Sequence, residues 1–112
     1  MKAIEKDDAI IVQLEGKIDT LTSPNIQESI LSHIEAGKTK IVLDLSAVNY
    51  ISSMGLRVFI VIQKKLKQLN SELVICHLND MLKQIFDVSG FTALFYFSNA
   101  IDDAIYYLSS DD

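Results

Sequence analysis

Two adjacent serines, Ser52 and Ser53, stand in the stretch Asp44-Leu45-Ser46-Ala47-Val48-Asn49-Tyr50-Ile51-Ser52-Ser53-Met54-Gly55-Leu56. The apolar run Ile41 to Leu43 leads into it, and an apolar-rich, helix-forming segment leaves it. The pattern predicts a strand-to-helix turn with both hydroxyls at the mouth of the helix. The first backbone N–H groups of a helix lack intrahelical partners and carry partial positive charge. That makes a helix start a natural seat for a phosphate. A serine there either caps the helix or offers an exposed hydroxyl to a kinase. In the second case a phosphoserine adds a charge of about −1.5 to −2 and three strong acceptor oxygens.

The neighbours divide in the same way. Asp44, expected at a strand end, either shapes the turn by accepting loop N–H groups or helps hold the serine. Asp19 follows Gly16-Lys17-Ile18 and belongs to a second loop at the same pole, or is a solvated loop acid. Gly55 permits a tight turn or a close approach of the helix to the sheet. Arg57 lies one turn from Ser53 and can pair with a phosphate or an acidic partner. Val58, Phe59, Ile62, Leu66 and Leu69 form the expected core face of the helix. Met54, Ile60 and Val61 fall off that face on an ideal wheel; they are partner contacts, or the helix is buried more broadly.

Other chemistry is sparse. The sequence has no Gly-rich phosphate loop, no Cys/His cluster with zinc spacing and no Gly-x-Ser-x-Gly elbow. His33 and His77 read as plain structural or surface histidines. Cys76, the single cysteine, sits in an apolar run and reads as a buried thiol. No enzyme, cofactor or metal is expected. A net charge of −5 argues against nucleic acid or an anionic membrane as the main partner. No run is long and apolar enough to cross a bilayer. The start Met1-Lys2-Ala3-Ile4-Glu5 lacks a signal-peptide core, so the expected location is cytoplasmic.

The elements that must position the serines follow from periodicity. Met1 to Glu5 and Ala9 to Gly16 predict two strands paired across Lys6-Asp7-Asp8. Ser23-Pro24 predicts a helix start, with Ser23 as N-cap, and Gly37 its end. Lys40 to Leu45 predicts a strand, Met54 to Leu69 a helix, and Glu72 to Cys76 a strand. Asn79-Asp80 caps a third helix that Gly90 follows. Leu94 to Phe97 predicts a short strand, and Ser98-Asn99 opens a last helix before a frayed tail at Ser109-Ser110-Asp111-Asp112. The order β-β-α-β-α-β-α-β-α over 112 residues implies one α/β domain, its mixed, largely parallel sheet covered by about four helices.

Three segments resemble the STAS family, the domain of bacterial anti-sigma factor antagonists. They are Leu14-Glu15-Gly16-Lys17-Ile18-Asp19; Asp44-Leu45-Ser46 with Tyr50-Ile51-Ser52-Ser53-Met54-Gly55-Leu56-Arg57-Val58; and Ile85-Phe86-Asp87-Val88-Ser89-Gly90-Phe91 followed by Leu94-Phe95. The resemblance implies a STAS fold over nearly the whole chain. It implies binding to an anti-sigma factor that is also a serine kinase with a histidine-kinase-like ATP fold, in a partner-switching pathway that regulates transcription. Phosphorylation of Ser53 would release the antagonist, and a PP2C-type phosphatase would reverse it. Family proteins often place an Asp before the acceptor and a small residue after it. Ser52 and Met54 stand at those positions, which leaves Ser52 as a second candidate acceptor. The kinase would supply ATP, magnesium and the base, and this chain the hydroxyl and a docking face drawn from Asp19, Asp44, Ser52, Ser53, Met54, Gly55, Arg57 and Val61. Two alternatives stand beside this reading: a non-switching accessory subunit of a transporter of the lipid-transport ATPase type, and a small-ligand or nucleotide sensor.

Overall fold

The Asp7-Asp8 pair folds the start of the chain back on itself. Both residues adopt positive φ, 52° and 69°, which matches the right-handed twist of a two-residue hairpin. The turn joins β1 (Lys2–Lys6) to β2 (Ala9–Ile18) in antiparallel register, Lys6 opposite Ala9. The computed structural model describes residues 1–109. After the hairpin, helices and strands alternate: α1 (Ser23–Glu35), β3 (Ile41–Ile51), α2 (Ser53–Gln68), β4 (Leu73–Cys76), α3 (Asp80–Ser89), a 3-10 turn (Thr92–Leu94), β5 (Tyr96–Ser98) and α4 (Ile101–Ser109). The five strands lie in chain order, and every pair after the first is parallel. The chain is thus a single α/β domain of the expected class.

Strand alternation divides the core between two faces. Ile41, Leu43 and Leu45 point to one face, where they meet Ile30 of α1, Phe59 and Ile62 of α2, and Phe86 of α3. Val42 points to the other face, with Ala9, Ile11, Val74 and Cys76, and is covered by Ala104, Ile105 and Leu108 of α4. Burial pushes the Cys76 thiol up to about 11, with the nearby Asp44 charge adding to the effect. Cys76 is therefore a neutral core side chain. Among the described residues no helix is long and apolar enough to cross a membrane.

Several expected boundaries move. The strand expected over Lys40–Leu45 continues to Ile51, because β2 also runs on to Ile18 and keeps pairing through register shifts near Leu14 and Gly16. Ser23 is not the N-cap of α1. Thr22 precedes the helix, and Ser23 is its first residue, buried, with a hydroxyl that finds no hydrogen-bond partner among the described residues. The turn is organised instead by Asp19, whose Oδ1 accepts from the N–H groups of Leu21 (3.0 Å) and Thr22 (3.2 Å). The last strand begins at Tyr96, because Thr92–Leu94 form a 3-10 turn. Ser98 and Asn99 precede rather than enter α4, and Ser98 Oγ hydrogen-bonds the carbonyl of Ala100 at 3.0 Å. Leu69 caps the end of α2 and is 44% exposed, not core. Ser109 closes α4, and the rest of the expected frayed tail lies outside the described residues.

Candidate functional site

β2 and β3 end side by side, at Ile18 and Ile51, and the chain leaves β3 directly into α2. The Ser52 N–H donates to the Ile18 carbonyl at 2.8 Å, tying the turn to the neighbouring strand. Ser52 then takes the N-cap position: its backbone is extended, and its Oγ accepts from the Gly55 N–H at 3.2 Å. One of the orphan donors of the helix start is thereby satisfied. The two serines differ in environment as a result. Ser52 is half-buried and engaged in the cap, whereas Ser53 is the first residue of α2 and exposed.

Gly55 sets how close this helix start can come to the sheet. A Cβ there would lie 2.7 Å from Ile18 Cγ2, 2.9 Å from the Ile18 carbonyl oxygen and 3.0 Å from Ile51 Cγ2. No other residue type fits without displacing the turn. The position of Ser53 thus depends on the ends of two strands and on one glycine.

Around Ser53 the surface is mixed. Met54 and Val61 are each 38% exposed, Ile60 is half-buried, and Arg57 is exposed with no ion pair among the described residues. A groove of about 390 Å³ runs between α1 and α2, lined by Pro24, Gln27, Leu31, Met54 and Val58. Asp19 lies at the same pole, one residue beyond the carbonyl that holds Ser52, and its carboxylate is engaged in its own turn. No acidic residue occupies the first turn of α2, so nothing in that turn opposes an added anion.

Asp44 is not brought to this pole. It sits in mid-strand, opposite Gln13 and Cys76, and shares the α4 face with Val42. Alternation along Ile41 to Leu45, ahead of the first register shift, gives it that face. Its Oδ1 accepts from the Ser46 N–H at 3.0 Å and lies 2.9 Å from His77 Nδ1. Burial works to raise its pKa, but the hydrogen bonds from His77 and Ser46 outweigh burial and hold the carboxyl below its ordinary value. Of the two readings of His77, structural or surface, the structure supports the structural one. It adopts left-handed backbone, φ 63°, and its ring fixes the exit of β4 to β3.

The helical wheel missed one buried polar residue, Gln63. Its Nε2 donates to the Leu94 carbonyl at 2.8 Å, and its Oε1 accepts from the Leu73 N–H at 2.8 Å. A polar residue one turn beyond Phe59 and three before Leu66, in phase with the core face, was the available signal.

Fold and site together define an α/β domain that presents a serine at the start of a helix. A family model described as the STAS domain matches residues 1–104, and the chain belongs to that family. It is 33% identical over 98 residues to BtrV of Bordetella bronchiseptica, which carries the provisional name of anti-sigma factor antagonist, with 88% of this chain and 84% of that one covered. It is 37% identical over 98 residues to the anti-sigma-B factor antagonist of Listeria monocytogenes, covering 85% of this chain and 84% of that one. The fold superposes on a Thermotoga maritima crystal structure, also provisionally named an anti-sigma factor antagonist, with a TM-score of 0.90 at 17% identity, over 96% of this chain and 93% of that one.

Proposed function

We propose that this protein is an anti-sigma factor antagonist whose binding to an anti-sigma factor serine kinase is gated by reversible phosphorylation of Ser53. The observation that carries the reading is the division between the two serines: Ser52 is committed to the helix cap, and Ser53 is left exposed beside it. The names of the two sequence relatives support the coarser part, antagonism of an anti-sigma factor. The kinase, the PP2C-type phosphatase and the acceptor role rest on the family resemblance together with this geometry.

The unmodified domain binds the kinase through the face around Ser53, Met54, Arg57 and Val61. The kinase transfers the γ-phosphoryl group of ATP to Ser53 Oγ, whose proton goes to a base of the kinase, and ADP leaves. The phosphate then sits at the start of α2, where the helix dipole stabilises it by about 0.3–1 kcal/mol, with Arg57 one turn away. The same two negative charges repel and desolvate poorly against a docked partner.

The test combines mass spectrometry and capture. Incubation with the cognate kinase and ATP should modify Ser53 in wild type and in Ser52→Ala. Ser53→Asp should weaken capture of the kinase, and Ser53→Ala should bind whether or not ATP is present. An unmodified Ser53, or capture indifferent to Ser53→Asp, overturns the switch. Capture intact with no modification would leave an antagonist without this control.

A further inference from the structure

A second groove opens beside the C-terminal half of α2, away from Ser53. It holds about 360 Å³, within the range of small-molecule sites. Ile60, Leu94 and Phe95 supply its apolar surface, Gln63 lies beneath, and Lys64 and Lys67 stand at its rim. No acidic residue lines it.

Its walls are fixed in advance. Phe95 is 7% exposed and packs edge-on against Phe86, with ring centroids 5.7 Å apart. Leu94 is 46% exposed, yet its carbonyl is held by the buried Gln63 amide. A prebuilt wall spares a ligand the cost of ordering it. The cations are not equivalent: Lys67 pairs with Glu72 at 3.7 Å, whereas Lys64 makes no ion pair among the described residues. On a chain of net charge −5, an apolar trough with an uncommitted ammonium on its rim selects by charge as well as by hydrophobicity.

We infer that this groove binds a small amphiphilic monoanion, an acyl carboxylate of medium length, its tail against Ile60, Leu94 and Phe95 and its carboxylate on Lys64. The site is independent of Ser53 phosphorylation and stands or falls separately from it. Because Gln63 links the groove to α2, β4 and the 3-10 turn at once, an occupant rests on the helix whose first turn carries Ser53.

Amide chemical shifts of the uniformly labelled protein, titrated with hexanoate, octanoate and decanoate, test it. Perturbations should centre on Ile60, Gln63, Leu94 and Phe95, and affinity should rise about fifteenfold per two added methylenes that the groove buries. Lys64→Glu, at an exposed position that leaves the fold intact, should weaken decanoate binding about tenfold. Decylamine should bind no better than it does to Lys64→Glu. Equal binding of the amine and the carboxylate to wild type, perturbations scattered away from the groove, or indifference to Lys64→Glu would each overturn the inference. So would loss of kinase capture in Leu94→Asp without any decanoate binding to wild type, which would make the groove a protein-docking surface.

Discussion

Replacing Gly55 by alanine separates two opposed effects. Alanine is the better helix former, by about 1 kcal/mol in a helix interior, so local propensity alone predicts a more stable protein. Packing predicts the reverse. The added methyl would meet Ile18 Cγ2 at 2.7 Å and the Ile18 carbonyl oxygen at 2.9 Å. The side chain can yield a little, but the carbonyl is held by the Ser52 N–H at 2.8 Å, so relief requires breaking that bond or lifting the helix start. Overpacking of this kind costs about 1–3 kcal/mol, with the upper part of the range fitting a backbone contact. The net expectation for Gly55→Ala is a loss of roughly 1–2 kcal/mol and a fall in Tm of roughly 5–10 °C. Urea unfolding followed by far-UV circular dichroism measures it; the chain has no tryptophan to report by fluorescence. A variant as stable as wild type, or more so, would refute the claim that β2 and β3 hold this helix start in place.

Two further predictions concern the polar groups that lock the sheet. Gln63→Leu keeps the bulk but strands the Leu73 N–H and the Leu94 carbonyl. It should cost about 2–4 kcal/mol, seen as a lower urea midpoint and as faster hydrogen exchange at the Leu73 amide. Asp44 has a folded-state pKa below its ordinary value. Its contribution is therefore present above the unfolded carboxyl pKa of about 3.9 and is lost as pH falls through the folded value. The stability gap between wild type and Asp44→Asn should be full at pH 6 and shrink below about pH 4; urea titrations across that window check it, and a gap that stays constant would remove the His77–Asp44 pair as its source.

The order of elements was legible because each helix carries its own period and punctuation. Asn79 caps α3, as its type and position suggested, accepting from the Leu82 N–H at 2.8 Å, and Gly90 follows at φ 78°. Misreadings arose where a residue's role depends on a distant strand. Ser46, Asn49 and Tyr50 look like a loop because they are polar and exposed, yet they continue β3, since β2 is there to pair with them. That continuation removed Asp44 from the turn, while alternation with Val42 set it on the opposite face. At Ser23 the local signal, serine before proline, was strong, but Asp19 had already organised the turn from four residues upstream. The two readings of Ser52 and Ser53 were likewise inseparable in sequence. Only the path of the backbone from Ile51 shows which hydroxyl the helix consumes.

That division has a consequence for how a switch on this fold would operate. Phosphate on Ser52 would remove a cap acceptor bonded to the Gly55 N–H and disturb a turn already tight enough to exclude a methyl group. Phosphate on Ser53 touches none of those contacts. It would change the net charge from −5 to about −7 while adding a small stabilising term at the helix start. The domain's own stability would then move by less than about 1 kcal/mol, whereas a charge set against a docked surface alters binding by several kcal/mol. An effect so unequally divided between fold and interface is what a reversible regulator requires: the carrier must survive modification unchanged, so that removing the phosphate restores the binding face without refolding.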